Sequence, residues 1–196
     1  TEFINLKAQD KIIIEKRENE EWVYLYEFYK AEENIAERLI VLNSAKNIKH
    51  IPKINKELKL LEEKQDIILS EKQIEAIKQI NDNNVCVITG GPGTGKTTII
   101  KTVLELYKKQ GKKVALAAPT GRAAKRMEEA TNSEAKTLHR LLEIGKMREE
   151  NWIKQSIEYD VSPIDADIII VDEVSMVDIF LMNYLVKAIY LGTKLV

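Results

Sequence analysis

The organisation of the chain follows from one stretch, Val85-Cys-Val-Ile-Thr-Gly-Gly-Pro-Gly-Thr-Gly-Lys-Thr-Thr98. From Gly90 to Thr97 it fits the pattern G-x-x-x-x-G-K-[ST], which is typical of loops that bind nucleotide phosphates. Residues 85–89 are mostly β-branched and predict a buried strand, and residues 97–110 carry apolar side chains at helical spacing. A chance glycine-rich turn is the alternative, but a strand before the loop and a helix after it favour the functional interpretation.

Each residue type in this loop has a task. Glycines let the backbone turn tightly, so that successive N–H groups point at phosphate oxygens near the positive end of the following helix. Lys96 supplies charge to the outer phosphates and is expected to be exposed and unpaired without ligand, while the Thr97 hydroxyl is a ligand for Mg²⁺. The sequence therefore predicts a site for a nucleoside triphosphate, with ATP and Mg²⁺ as the cofactors. The residues expected to line it are Gly91, Pro92, Gly93, Thr94, Gly95, Lys96, Thr97 and Thr98.

A second candidate group lies at Asp172 and Glu173. They follow four consecutive aliphatic residues, Ile168–Val171, which predict a buried parallel strand that delivers acidic side chains to the carboxyl edge of a sheet. In an ATP site, Asp172 would hold the Mg²⁺ shell and Glu173 would polarise the attacking water. A strand that simply ends in a charged turn is the alternative, and the intact loop upstream disfavours it.

Composition sets the broad class. The 196 residues are 44% hydrophobic and 31% charged, with a net charge of −1, which predicts a globular chain without the bulk basicity of a nucleic-acid binder. No run approaches the roughly 18 apolar residues of a membrane span. The single cysteine, Cys86, is expected to be a small core residue, and one cysteine cannot form an internal disulfide. A cytoplasmic protein with no membrane partner is the expectation.

Residues 1–67 are predicted to form a small α+β subdomain before the first part of a nucleotide-binding domain over residues 68–196. Residues 11–26 predict a hairpin, and the later apolar spacing predicts two helices. The hairpin aromatic residues, Trp22, Tyr24 and Tyr26, either stack on nucleic-acid bases or pack on a neighbouring helix, and packing is favoured.

Gln73 has two interpretations. With Ser70 it forms a capping-box pattern at the start of a helix, which explains both residues structurally. A glutamine amide just upstream of a phosphate loop can also read the adenine edge through paired hydrogen bonds. The residues alone leave both interpretations open.

The segment after the loop predicts a strand over residues 114–118 and a helix over residues 121–129 that Thr120 caps. Arg122, Lys125 and Arg126 lie at positions i, i+3 and i+4, so they form one basic face that either grips a phosphodiester backbone or is simply solvated. Farther along, residues 137–142 predict a short helix in which His139 is packed rather than catalytic. Residues 146–163 are interpreted as an irregular surface excursion.

Predicted strands at 85–89, 114–118, 168–172 and 194–196 alternate with helices. This order predicts an α/β fold with a parallel sheet, flanking helices and right-handed crossovers. With the phosphate loop, this order predicts a P-loop NTPase and is similar to an incomplete RecA-like sheet.

Four segments occur in an order that resembles a known family. They are Ile88-Thr-Gly-Gly-Pro-Gly-Thr-Gly-Lys-Thr-Thr98, Ala117-Ala-Pro-Thr-Gly-Arg-Ala-Ala-Lys-Arg126, Thr137-Leu-His-Arg-Leu141 and Ile170-Val-Asp-Glu-Val-Ser-Met176. Together they resemble the RecD-like helicases of superfamily 1, the family of the exodeoxyribonuclease V alpha subunit. The resemblance implies an ATP-dependent helicase that moves 5′ to 3′ along single-stranded DNA, with roles in DNA repair and recombination.

By matching position, the resemblance implies that Gln73 contacts adenine. It also implies that Lys96 and Thr97 serve the phosphates and the metal, and that Asp172 and Glu173 serve the metal and water. The residues implied to lie along DNA are Pro119, Thr120, Thr137 and His139, to which the basic face adds Arg122.

The family also has a second RecA-like domain that supplies arginines to the ATP site, and no such segment is recognisable here. The chain is therefore expected to be a piece of a longer protein, to hydrolyse ATP slowly on its own and to lack unwinding activity. Partner subunits of a nuclease complex are a further expectation for that protein. The competing interpretations are a non-helicase P-loop ATPase and a nucleotide-binding scaffold, which DNA-stimulated hydrolysis and nucleotide binding, respectively, distinguish.

Overall fold

The computed structural model describes residues 2–46, 49–144, 152, 154, 157 and 161–196. Its main helices are α1 (Glu2–Ala8), α2 (Tyr26–Asn43), α3 (Ile54–Gln65), α4 (Glu71–Asp82), α5 (Lys96–Lys109), α6 (Gly121–Thr131), α7 (Leu138–Leu141) and α8 (Ile179–Lys187). Its strands are β1 (Ile12–Arg17), β2 (Glu20–Leu25), β3 (Val114–Ala118), β4 (Ala135–Thr137), β5 (Ile168–Val171) and β6 (Lys194–Leu195), and a short 3-10 helix spans Val174–Met176.

Four of the strands form a parallel sheet in the order β4-β3-β5-β6. Helices separate these strands along the chain and pack against the sheet, which confirms the predicted α/β fold. Strand β4 was not predicted, because three residues are too few to show a period. It pairs with β3 from Leu116 opposite Ala135 to Ala118 opposite Thr137.

Only the first residues of the strand predicted over residues 85–89 pair with a neighbouring strand. Val85 forms a parallel bridge with Leu195, and the N–H of Cys86 donates to the carbonyl of Leu195 at 2.9 Å. Within the described residues no ladder continues past this bridge, and Val87 is 78% exposed. The prediction of a buried strand is therefore wrong within the described residues, because a β-branched sequence is not buried without a neighbouring ladder. For the same reason Cys86 is only half-buried.

The aliphatic run of β5 serves both faces of the sheet. Ile169 packs in a cluster with residues of α2, α7 and α8, whereas Ile168 and Ile170 pack in a cluster with residues of α3, α4 and α5. Successive side chains of a strand point to opposite faces, so a strand that is covered on both sides is apolar at every position. The sequence of β5 thus follows from its central place between β3 and β6.

Helix α2 lies against α8. The rings of Phe28 and Phe180 meet edge to face with centroids 4.7 Å apart. Arg38 donates to the carbonyls of Val186 and Ile189 at the end of α8. The last carbonyls of a helix have no intrahelical donors, so this arginine satisfies the one of Val186, whereas Ile189 lies two residues beyond the helix.

Strands β1 and β2 form the predicted antiparallel hairpin. Tyr24 packs edge to face against Tyr29 of α2 with centroids 5.6 Å apart, as the packing interpretation expected. Trp22 remains 46% exposed, and the guanidinium of Arg17 lies 5.3 Å from the centre of its ring. Tyr26 belongs to α2 rather than to the hairpin.

The expected excursion over residues 146–163 lies largely outside the described residues. Trp152 is described and is buried, with its ring edge to face against Tyr184 at 6.4 Å. A surface position for this tryptophan was therefore wrong, because its large apolar ring packs against α8. Among the helices that the structure describes, none has the length and apolar character needed to cross a membrane.

Lys194 joins the sheet to the end of α4. It is fully buried, and its Nζ donates to the carbonyls of Ile80, Asn81 and Asn83 at 3.0, 2.9 and 2.6 Å. An ammonium has three donors, and here each reaches an acceptor at the negative end of a helix. Burial lowers the pKa of Lys194 to about 8, although the carboxylate of Asp82 acts in the opposite direction.

We predict that Lys194→Met lowers the free energy of unfolding by about 2–3 kcal/mol at pH 7, because buried carbonyls lose their donor. The folded-state pKa of about 8 lies below the ordinary value of 10.5, so the native state binds fewer protons between these values. The contribution of this group to stability therefore rises with pH across that window. The difference in free energy of unfolding between the wild type and the variant should increase accordingly. Urea unfolding at several pH values measures both effects, with the exposed Lys101→Met as control. Equal stability of variant and wild type at pH 7 would contradict the prediction.

Candidate active site

The loop that follows Val85 leads into α5 through glycines with positive φ. Gly93 and Gly95 have φ angles of 75° and 84°, a region that glycine adopts without strain. Gly95 directly precedes α5, so the helix begins at Lys96 and leaves its first N–H groups free of intrahelical acceptors. These N–H groups and the helix dipole favour an anion at this position.

Lys96 is half-buried, and its Nζ donates to the carbonyls of Gly90 and Gly91. The expectation of an exposed, unpaired lysine is wrong. The loop curls so tightly that two main-chain acceptors lie within reach of the ammonium. Phosphate binding at this loop would replace those carbonyls with charged oxygens, which are the stronger acceptors for an ammonium.

Gln73 lies at the start of α4 and beside the loop. The Ser70 N–H donates to Gln73 Oε1 at 2.9 Å, and the Gln73 N–H donates to Ser70 Oγ at 3.3 Å, which confirms the predicted capping box. Gln73 Nε2 also donates to the carbonyl of Thr94 at 3.5 Å. A side chain at Gly95 would collide with this Nε2, so the glycine admits the amide to the loop. The amide thus serves the helix cap and borders the nucleotide loop.

Asp172 and Glu173 follow β5 directly. The Asp172 N–H donates to the carbonyl of Ala117 at 3.0 Å, which extends the ladder with β3 to the carboxyl edge of the sheet. Asp172 Oδ1 accepts from the N–H of Glu173 at 2.9 Å. Glu173 adopts a φ of 56°, so the chain turns sharply there, and its side chain is exposed. Asp172, by contrast, is half-buried.

The last two residues of the loop motif, Lys96 and Thr97, share one cavity of about 170 Å³ with the two carboxylates. It lies between the start of α5 and one face of α6. The residues that line it are Lys96, Thr97, Ile100, Ala123, Arg126, Met127, Ala130, Thr131, Asp172 and Glu173. Two segments that are 75 residues apart in the sequence therefore face the same space.

The residues around this cavity fit Mg²⁺ together with a phosphate chain. Mg²⁺ takes oxygen ligands and is usually bound through one or two carboxylates, phosphates and several waters rather than by an all-protein cage. The hydroxyl of Thr97 and the carboxylate of Asp172 are oxygen donors of this kind. In the part of the chain that the structure describes, no group of three or more His, Cys, Asp or Glu side chains offers an alternative metal site.

The residues implied to lie along DNA gather at the carboxyl ends of β3 and β4. Thr120 Oγ1 accepts from the N–H of Ala123 at 3.2 Å and caps α6, as predicted. Thr137 Oγ1 accepts from the N–H of Arg140 at 3.3 Å and caps α7. Both hydroxyls therefore have a structural partner. Pro119 is half-buried at the end of β3, and Arg122 is exposed.

His139 is half-buried, and its ring stands edge to face against Trp152 with centroids 5.9 Å apart. This contact agrees with the interpretation of a packed histidine. The sequence could not show it, because the two residues are 13 positions apart and no periodic pattern links them.

Arg126 was assigned from the sequence to a basic face, not to the nucleotide site. The cavity includes it, but it does not include Arg122 or Lys125. The signal that could have found it is the spacing of Ala123, Arg126, Met127 and Ala130, which places these side chains on one stripe of α6.

Comparison with curated proteins gives relatives named for DNA-processing enzymes. The chain is 41% identical over 127 residues to the ATP-dependent RecD2 DNA helicase of Deinococcus radiodurans, a match that covers 64% of this chain and 17% of the relative. It is 34% identical over 194 residues to the RecBCD enzyme subunit RecD of Buchnera aphidicola subsp. Acyrthosiphon pisum, covering 89% of this chain and 31% of the relative. The RecBCD enzyme subunit RecD of Mycolicibacterium smegmatis is 37% identical over 149 residues, with 64% and 26% covered.

The chain thus spans less than a third of the length of these relatives. Their similarity confirms the RecD-like resemblance that the sequence motifs predicted. Residues 73–196, which include the loop, the sheet and both carboxylates, match the family described as an AAA domain. The match covers more than half of the chain, and the chain therefore belongs to the AAA domain family.

Proposed function

We propose that this chain carries the ATP-binding part of a DNA helicase that moves 5′ to 3′ along single-stranded DNA. The observation that carries the proposal is the shared cavity of Lys96, Thr97, Asp172 and Glu173. A cation, a hydroxyl and two carboxylates at one sheet edge are the residue types that phosphoryl transfer from ATP to water requires. Similarity to a protein named as an ATP-dependent DNA helicase supports the coupling of this chemistry to DNA.

In the proposed reaction, the chain holds the phosphates and activates water. The N–H groups at the start of α5 and the ammonium of Lys96 bind the outer phosphates. Mg²⁺, which Thr97 and Asp172 would hold, supplies charge that stabilises the phosphoryl oxygens. Glu173 accepts a proton from water as the oxygen–phosphorus bond forms and the bond to ADP breaks.

Glu173 is the better candidate for the base of the two carboxylates. Asp172 is half-buried, and its Oδ1 already accepts a main-chain hydrogen bond. The exposed carboxylate of Glu173 makes no hydrogen bond or ion pair within the described residues, so its oxygens remain available to water. Gln73 is proposed to read the adenine edge with the amide that now borders Thr94.

The single strand is proposed to run past the carboxyl ends of β3 and β4. There the start of α6, with Pro119, Thr120 and Arg122, and the segment from Thr137 to His139 lie at one edge of the sheet. Backbone N–H groups at the start of α6 can bind phosphodiester oxygens without a basic surface. This arrangement suits a chain whose net charge is −1.

For the longer protein, the proposed partners are single-stranded DNA and, in an assembly of the RecBCD type, the other subunits. Two relatives are named as RecD subunits of such an enzyme, which supports this proposal. A role in DNA repair and recombination follows from the same resemblance.

The test has two steps. This chain should bind ADP and ATP in calorimetry with Mg²⁺ present, and the gene product that carries it should hydrolyse ATP faster when single-stranded DNA is added. A strand-displacement assay with 5′ and 3′ tails then tests the direction. Absence of nucleotide binding would contradict the ATP site. If nucleotide binds but single-stranded DNA does not change the rate of ATP hydrolysis, the protein would instead be a P-loop ATPase that is not a helicase.

A further inference from the structure

One face of α6 is built against the nucleotide cavity. Ala123, Met127, Ala130 and Thr131 line the cavity together with Arg126, and Ala123 and Met127 are also buried. This spacing of three and four residues defines one stripe of a helix. Arg126 therefore lies on the stripe directed towards the start of α5, although the residue as a whole is exposed.

Arg126 makes no hydrogen bond or ion pair with any residue that the structure describes. The other basic residue that lines the cavity, Lys96, donates to two main-chain carbonyls. A guanidinium has five N–H donors and a fixed positive charge, which suits it to phosphate oxygens. Its donors at the cavity are thus available to a ligand.

The charges around the cavity are consistent with a phosphate-binding role for this arginine. Lys96 and Arg126 contribute two positive charges, and Asp172 and Glu173 contribute two negative charges. Arg126 balances the second carboxylate, so that the lining side chains carry no net charge before Mg²⁺ binds, and this favours the triphosphate of ATP more than a negatively charged lining would. The last phosphate carries the charge by which ATP differs from ADP.

We propose that Arg126 binds the terminal phosphate of ATP from α6, across the cavity from Lys96, and so makes the site distinguish ATP from ADP. This inference rests on the proposed ATP site. It adds to that site a second positive charge from this chain. In this role Arg126 acts separately from Arg122 and Lys125, with which the sequence had grouped it. A solvated surface arginine is the alternative, and its place on a stripe with two buried neighbours disfavours that alternative.

The test compares Arg126→Gln, Arg126→Lys and the charge-matched control Lys101→Gln, which changes an exposed residue of α5 outside the cavity. Calorimetry measures the affinity of this chain for ADP and for a non-hydrolysable ATP analogue. We expect Arg126→Gln to weaken analogue binding by about 5- to 10-fold and ADP binding by less than about twofold, as the loss of one charge near the last phosphate implies. Arg126→Lys should retain most of the affinity, and Lys101→Gln should behave as the wild type.

Equal losses for both nucleotides, or no loss, would overturn the assignment of Arg126 while leaving the ATP site intact. A loss of single-stranded DNA binding with unchanged analogue affinity would also overturn it, in favour of a phosphodiester contact. Failure of the wild type to bind either nucleotide would overturn the proposed function and this inference together. Thermal unfolding of each variant checks that the fold is retained, as expected for an exposed side chain.

Discussion

Glu173→Gln, made in the gene product that carries this chain, is expected to leave ATP affinity nearly unchanged and to lower turnover by about 10²–10⁴-fold. This is the usual contribution of general acid–base catalysis. The amide keeps the shape of the side chain but cannot accept a proton from water. Glu173 lines the cavity and is exposed, and its carboxylate makes no hydrogen bond or ion pair with the residues that the structure describes. Its replacement therefore removes no contact from the core.

Binding by calorimetry and steady-state ATP hydrolysis with DNA measure the two quantities separately. Glu129→Gln is the matched control, because Glu129 is an exposed glutamate on α6 that does not line the cavity. If turnover of Glu173→Gln fell only a few-fold while binding collapsed, Glu173 would be a metal or structural residue instead. The split between affinity and turnover is therefore the decisive readout.

The features of this site that the sequence predicted are those carried by local patterns. The spacing from Gly90 to Thr97 predicted a loop that leads into a helix, and α5 begins within that loop. Four aliphatic residues before Asp172 predicted a strand buried on both faces, and β5 is one. The pair Ser70 and Gln73 predicted a capping box, and both of its hydrogen bonds are present. Each of these features is determined within a few residues of chain.

The features that the sequence did not predict depend on contacts between distant segments. The sequence placed Lys194 in a predicted strand without any special role. In the structure it is buried and donates to three carbonyls at the end of α4, more than 100 positions earlier in the chain. The sequence assigned Arg126 to a basic face, yet it lines a cavity between α6, the start of α5 and the two carboxylates after β5. The spacing on α6 places Arg126 on one stripe of the helix, but neither contact follows from the local sequence, because each depends on which distant segments the fold brings together.

Residues 85–89 show the opposite case, in which a strong local pattern was not sufficient. The β-branched sequence is suited to a strand, but only Val85 and Cys86 meet a partner in β6. Strand propensity expresses how well a side chain fits a covered sheet, so it is realised only where neighbours exist. The loop after this segment nevertheless reaches α5, since its own glycines set the turn.

Lys96→Ala is expected to weaken ATP binding by about 100-fold, since hydrogen bonds to charged groups contribute about 1.5–3 kcal/mol each. In the structure, the ammonium lies within the loop on the carbonyls of Gly90 and Gly91. Removing it leaves those carbonyls to water, because both glycines are exposed. The free energy of unfolding should therefore change by less than about 1 kcal/mol, well below the loss in binding.

Calorimetry with ATP and Mg²⁺, paired with thermal unfolding of the same samples, separates these two effects. Lys101→Ala serves as control, because Lys101 is an exposed lysine of the same helix that lies outside the cavity. Retained affinity in Lys96→Ala would end the assignment of this loop to phosphate. A large loss of stability would show that the lysine holds the loop together, and that its bonds to the two carbonyls are its main task. A loss of affinity without a loss of stability is the result expected of a cation that exchanges carbonyls for phosphate oxygens when ATP binds.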